Sequence, residues 1–149
     1  LLVIGRADGI GASLRQQAQR LGIASNILWL GERRDVPDLL RAADLGMLVS
    51  HEEGFSNAVI EAMAAGRAIV ASRVAGIPDV MRDGVEGILV PPAEETALRE
   101  VLIRLAADPG RRAELGAAAA DRVSRDLTWA RVATVFEECY VQAQTLAKR

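Results

Sequence analysis

Residues Leu45–Ala71 read LGMLVSHEEGFSNAVIEAMAAGRAIVA. Leu45–Val49 is an apolar run of strand length, and Ala68–Ala71 is another. Between them, Ser56 suits a helix N-cap, Ala58, Val59, Ala62 and Met63 give Asn57–Ala65 an apolar face, and Gly66 supplies the stop. A strand, a helix and a strand joined this closely form a βαβ unit, with parallel strands and a right-handed crossover. The same rhythm extends outward, with strands predicted at Leu1–Gly5, Ile27–Leu30 and Gly87–Val90. Helices are predicted at Ala12–Leu21, Val36–Ala43 and, briefly, Pro78–Arg82. The expected fold class is α/β, a Rossmann-like doubly wound parallel sheet covered on both faces.

After Pro91 and Pro92 the strand patterns stop, and helical patterns follow at Glu94–Ala107, Gly110–Ser124 and Trp129–Ala147. Asp108-Pro109 and Thr128 mark boundaries, since a residue before proline avoids the helical region and threonine caps helices. Trp129, Val132, Val135, Phe136 and Tyr140 form an apolar stripe that calls for a packing partner, in the core or in another domain, and Cys139 in the same helix reads as a packed thiol. The expectation is a single domain over 1–149, with an α/β core over 1–92 and a helical tail over 93–149. The chain opens without Met, directly into Leu1, Leu2, Val3 and Ile4, so it reads as a piece of a longer protein.

Composition narrows the chemistry. The 149 residues suit one domain with a core of its own. With 18 basic and 20 acidic side chains, the net charge of −2 provides no broad attraction to nucleic acid or to anionic lipid. One His and one Cys cannot build a zinc site, and no apolar run reaches the ~18 residues of a transmembrane segment. No metal and no cofactor are expected. Lys148 is the only lysine, so any chemistry needing a lysine mid-chain is absent.

Two places invite a ligand. Gly5, Gly9 and Gly11 follow a strand and precede a helix, but Leu14 stands where the third glycine of a dinucleotide fingerprint belongs, so a plain βα turn is the expected reading. The His51–Gly66 stretch is more informative. Its strand feeds a helix start at the carboxyl edge of a parallel sheet, where first-turn N–H groups favour an anion. Glu53 lies in the turn and Glu61 lies eight positions on, inside the helix, about 7 Å further along its axis than the cap at ~1.5 Å per residue. Carboxylates accept hydrogen bonds from sugar hydroxyls, while the amides of Asn57, Ala58 and Val59 would serve a diphosphate. On chemistry alone, two solvated charges at a helix start remain an equal alternative.

The sequence resembles the C-terminal, nucleotide-sugar-binding half of the GT-B glycosyltransferases of family 4, the group 1 glycosyltransferases. That family's signature is two glutamates separated by seven residues, which Glu53 and Glu61 reproduce around Gly54, Phe55, Ser56 and Asn57. LWLGERRDVPDLLRAADLGMLVS upstream, AAGRAIVASRVAGIPDVMRDGVEGILVPP downstream, and DPGRRAELG with a later TW follow the family's order. The resemblance implies a retaining, metal-independent transferase using a nucleotide diphosphate sugar, with the acceptor unidentified. Glu53 would be the catalytic-site carboxylate that holds hydroxyls of the transferred sugar, helped by backbone groups of Gly54, Phe55, Ser56 and Asn57. Ala58 and Val59 would offer amides to the distal phosphate, and Glu61 would hold the ribose. Gly31, Glu32 and Arg33 would border the base.

The resemblance also implies partners lying outside this chain: an Arg and a Lys on a preceding segment, the first strand-helix unit, and an N-terminal acceptor domain. The chain alone is therefore expected to be inactive in transfer, and the parent cytoplasmic, with peripheral membrane association left open. Ala75 stands where the family frequently has a second glycine. A non-catalytic nucleotide-sugar-binding module is the alternative reading. A dinucleotide oxidoreductase is disfavoured by the broken glycine spacing, and a glycoside hydrolase by carboxylates that do not face one bond. His51, Arg33 and Arg34 read as surface residues of polar turns, and Arg67 and Arg73 carry no motif.

Overall fold

The computed structural model describes residues 1–6, 9–54 and 56–146. Among these, β1 (Leu2–Ile4), α1 (Gly11–Arg20), β2 (Leu28–Gly31), α2 (Val36–Ala42), β3 (Leu45–Leu48), α3 (Asn57–Ala64) and β4 (Ala68–Ser72) alternate as expected. They are followed by α4 (Ile77–Val80), β5 (Ile88–Val90) and three helices, α5 (Glu95–Ala107), α6 (Pro109–Asp126) and α7 (Trp129–Leu146). A short 3-10 turn at Ala24–Asn26 is the one described helical element the sequence reading did not anticipate. The chain divides into two compact units, Leu1–Leu39 and Leu40–Arg149. The five parallel strands are likewise divided, β1 with β2 in one sheet and β3-β4-β5 in another.

In the first unit, β1 pairs with β2 through Leu2 opposite Leu28 and Val3 opposite Trp29, with a register irregularity before Ile4. Helix α1 buries only Gly11 and Ala18. Arg15 lies over the Trp29 ring, 4.7 Å from its centroid, a cation–π contact that covers part of the indole.

The second unit is built around β4. Its register runs from Leu45 opposite Ala68 to Leu48 opposite Ala71 on one side, and from Val70 opposite Ile88 to Ser72 opposite Val90 on the other. All five residues of β4 are buried. Because successive strand side chains point to opposite faces, Ile69 and Ala71 pack with Val59, Met63, Ile77 and Met81, whereas Ala68 and Val70 pack with Val101, Leu105 and Leu115. A continuous apolar run is what a strand covered on both faces requires. Each fully buried aliphatic side chain here stabilises the fold by roughly 1.5–3 kcal/mol.

Helix α3 stops where Gly66 takes φ +67°, and its N–H donates to the Met63 carbonyl at 2.9 Å while that of Arg67 donates to Ala62 at 3.2 Å. This left-handed residue satisfies two carbonyls that the helix end would leave open. The Gly66 turn lies directly against Gly116 of α6, where a Cβ would collide with the Gly66 carbonyl oxygen. Asp108 caps α6, its Oδ1 accepting the Arg111 N–H at 2.8 Å, and Thr128 accepts the Arg131 N–H at 3.2 Å at the start of α7.

One expectation about α7 is corrected, that of a packed Cys139. None of its described residues is buried, and Trp129 is 89% exposed, so the apolar stripe forms no part of this chain's core. Cys139 is exposed as well and is not a packed thiol. Helical periodicity places residues on one face, but it does not supply the surface that would cover them.

Gly116→Ala sets the gain of about 1 kcal/mol in helix propensity against overpacking onto a backbone oxygen, which costs about 1–3 kcal/mol or more. The collision wins because the Gly66 carbonyl belongs to a constrained turn. Thermal and urea denaturation should show a net destabilisation.

Candidate functional site

Strands β3 and β4 run parallel and in register, so the turns that follow Leu48 and Ser72 leave the same, carboxyl edge of the sheet. In open α/β sheets this edge is where ligands bind. The turn after β3 is tied to the end of β4: the Ser50 N–H donates to Ser72 Oγ at 3.1 Å, and Ser72 is buried. Ser50 Oγ in turn donates to Glu53 Oε1 at 2.8 Å. Glu53 is thus half-buried and held, while His51, Glu52 and Gly54 are exposed. Phe55 lies outside the described residues.

Ser56 occupies the N-cap position of α3 with extended backbone, φ −86° and ψ 100°, and is buried, but its side chain makes no capping hydrogen bond. That corrects the expected cap. Its carbonyl accepts the Ile60 N–H at 3.4 Å, so the amides of Asn57, Ala58 and Val59 belong to the first turn, where a helix has no carbonyl of its own to offer. Helix α3 buries Val59, Ala62 and Met63. Asn57, Ala58 and Glu61 fall together on its exposed face. Glu61 makes no ion pair with another of the described residues. The turn therefore brings a restrained carboxylate, an uncapped helix start and an exposed carboxylate one turn on to a single edge.

The turn after β4 is constrained too. Ala75 has φ +30°, in the left-handed region that favours glycine, at the position where the family pattern frequently has one. Arg73 pairs with Asp83, whose Oδ1 also accepts the Leu89 N–H at 2.9 Å.

In the first unit, Gly31 ends β2 with φ +64°. Glu32 pairs with Arg6 at 3.3 Å, and Arg33 holds Asp35 by two hydrogen bonds of 2.8 and 2.6 Å. This hydrogen-bonded pairing raises the Arg33 guanidinium above, and lowers the Asp35 carboxyl below, their ordinary values. The Arg33 charge is therefore engaged locally, and all three residues are exposed. Gly5 and Gly9 have positive φ, as a plain βα turn requires, while Ala7 and Asp8 lie outside the described residues.

Sequence reading missed Glu86, which is fully buried between Val85 and Gly87. Oε2 accepts the Arg82 N–H at 2.7 Å, Oε1 accepts Arg82 Nε at 2.8 Å and is paired with its Nη2, and Arg122 Nη1 of α6 lies 3.6 Å away. Burial pushes this carboxyl up, but the Arg82 hydrogen bonds and the two guanidinium charges prevail and hold it below its ordinary value. A glutamate within an otherwise apolar run was the only signal in the sequence. Ser50 and Ser72 were also missed, although Ser50 lies just past β3 and Ser72 ends the adjacent β4. A cleft of about 240 Å³ lined by Ile88, Val101, Arg104, Leu105, Asp108 and Arg111 opens where β5 begins, the edge opposite the candidate site. Among the described residues no three His, Cys, Asp or Glu come together to hold a metal ion, and no helix is long and apolar enough to cross a membrane.

Parallel strands joined by crossover helices define the Rossmann-like α/β class, as found in one half of a GT-B fold. The chain belongs to the family of group 1 glycosyl transferases, whose pattern it matches over residues 1–108. It is 38% identical over 148 residues to a D-inositol 3-phosphate glycosyltransferase of Xylanimonas cellulosilytica, covering 96% of this chain and 35% of that protein. It is 29% identical to an N-acetyl-alpha-D-glucosaminyl L-malate synthase of Bacillus anthracis, over 94% of this chain and 36% of that one. Among solved structures, Anabaena Alr3699/HepE, determined with UDP and with UDP-glucose, superposes with a TM-score of 0.81 at 28% identity, over 99% of this chain and 40% of HepE. The chain spans about a third of the length of the curated relatives it matches.

Glu86→Gln leaves Arg122 without its buried counter-charge, and urea denaturation at pH 7 should show a loss of about 3 kcal/mol. A carboxyl whose folded pKa is depressed stabilises above its unfolded value, about 4.3, and that contribution disappears as pH falls through the folded one. The gap between variant and parent should therefore narrow in acid.

Proposed function

We propose that this chain is the donor-binding domain of a retaining glycosyltransferase, which moves a sugar from a nucleotide diphosphate sugar to an acceptor without a metal ion. The observation that carries the reading is the carboxyl edge itself, where Glu53, the uncapped first turn of α3 and Glu61 stand along one exposed path. Glu53 is assigned to hydroxyls of the transferred sugar, together with backbone groups of Gly54, Ser56 and Asn57. The amides of Ala58 and Val59 are assigned to the distal phosphate, where the helix N-terminus favours negative charge. Glu61 is assigned to the ribose. Gly31, Glu32 and Arg33 lie in the other unit, and their assignment to the base rests on the family resemblance alone.

The UDP and UDP-glucose complexes of HepE support a nucleotide sugar as ligand class. The names of the two curated relatives point to different acceptors, D-inositol 3-phosphate and L-malate. Acceptor choice is accordingly assigned to the remainder of the protein. So is much of the charge stabilisation of the leaving diphosphate, a large contribution to rate in group transfer. The chain by itself binds donor and does not turn it over.

NMR titration of the chain with UDP and UDP-glucose tests this. Binding should be weak, about millimolar or −4 kcal/mol, and should shift the Ala58 and Val59 amides. Glu61→Ala should weaken both ligands, by about tenfold for one charge-assisted hydrogen bond, whereas Glu53→Ala should weaken UDP-glucose alone. Equal indifference to every nucleotide diphosphate, or two variants that both bind as the parent does, would overturn the proposal.

A further inference from the structure

We infer that Ser50, seated by Ser72, is a positioning residue that presents the Glu53 carboxylate to the hexose of the donor. The inference rests on the reading of Glu53 given above. It comes from a relay of two hydrogen bonds, Ser50 N–H to Ser72 Oγ at 3.1 Å and Ser50 Oγ to Glu53 Oε1 at 2.8 Å.

Each link has a distinct task. Ser72 is the last residue of β4, the buried central strand, and is itself 2% exposed, so its hydroxyl is a fixed point of the scaffold. By accepting the Ser50 amide it sets where the chain leaves β3. The Ser50 hydroxyl then engages one oxygen of Glu53, whereas Oε2 has no hydrogen bond from another of the described residues. One oxygen is anchored and the other is left for a ligand hydroxyl.

A free glutamate in a surface turn samples many rotamers, and a ligand must order it on binding. A serine that has already ordered it removes that cost for the sugar alone, because Ser50 and Glu53 lie in the turn before α3, upstream of the amides assigned to phosphate. A serine that merely closed the turn would affect diphosphate and diphosphate-sugar alike, since the same turn delivers the start of α3. The quantity that separates the two roles is the sugar increment, the ratio of the dissociation constant for the nucleoside diphosphate to that for its sugar conjugate.

The experiment measures that ratio on the full chain by NMR titration with UDP and UDP-glucose, GDP and GDP-mannose, and ADP and ADP-glucose, using the pair with the largest increment. Ser50→Ala should lower the increment about tenfold while the diphosphate alone binds within about twofold of the parent, as expected for one hydrogen bond to a charged group. Ser50→Thr, which keeps the hydroxyl, should restore most of it. Ser72→Ala should expose the Ser50 amide to faster hydrogen exchange and lower the increment in the same direction. An increment unchanged in Ser50→Ala but abolished in Glu53→Ala overturns the positioning role and leaves the donor site standing. Parallel losses for diphosphate and conjugate overturn it in favour of a structural turn. An increment unaffected by Glu53→Ala, or absent from the parent for every pair, removes both readings together.

Discussion

The packing of β4 between two apolar surfaces is the constraint on which the second unit depends. Ile69 and Ala71 face one cluster and Ala68 and Val70 the other, so a register slip by one residue would exchange the two sets. Keeping that register also keeps Leu48 opposite Ala71, and this alignment carries the turn after β3 to the end of β4. The candidate site is a by-product of a strand that has no solvent face. A core made for stability thereby fixes the position of Ser72, and through Ser50 that of Glu53.

The electrostatics of the site follow from what the rest of the molecule has engaged. Arg33 and Arg73 are each held by a neighbouring carboxylate, and Arg111 by Glu114 and the Gly84 carbonyl. Such pairs secure loops and helix ends more than they add stability, because exposed ion pairs contribute little. The buried Glu86 is different in kind, since it joins the segment after α4 to α6 through Arg122. What the carboxyl edge offers an anion is the backbone amides of an uncapped helix start, which are fixed in direction and need no reorganisation when one arrives.

Most of the fold was legible because its periods are local. Apolar runs of strand length, the Gly66 stop, the Asp108-Pro109 boundary and the Thr128 cap all act within a few residues of themselves, and their elements fall within a residue or two of expectation. Glu53 and Glu61 were legible for the same reason, since a turn before a helix and an exposed helical face are short-range features. Ser56 was misread because N-cap propensity reports a position and not a bond: the residue sits there with its hydroxyl uninvolved in capping. Cys139 was misread because a period specifies a face and says nothing of its cover.

The sequence by itself determined the order of strands and helices, the parallel sense of the sheets, and the acidic pair flanking a helix start, because each follows from hydrophobic period, turn chemistry and spacing along the chain. Only the tertiary structure decided that the five strands divide into two sheets, that Glu86 is a buried partner of two arginines, and that Ser72 reaches across to Ser50. Those outcomes depend on which residues far apart in sequence meet in register. That meeting is settled by the simultaneous burial of many side chains, and no local pattern encodes it.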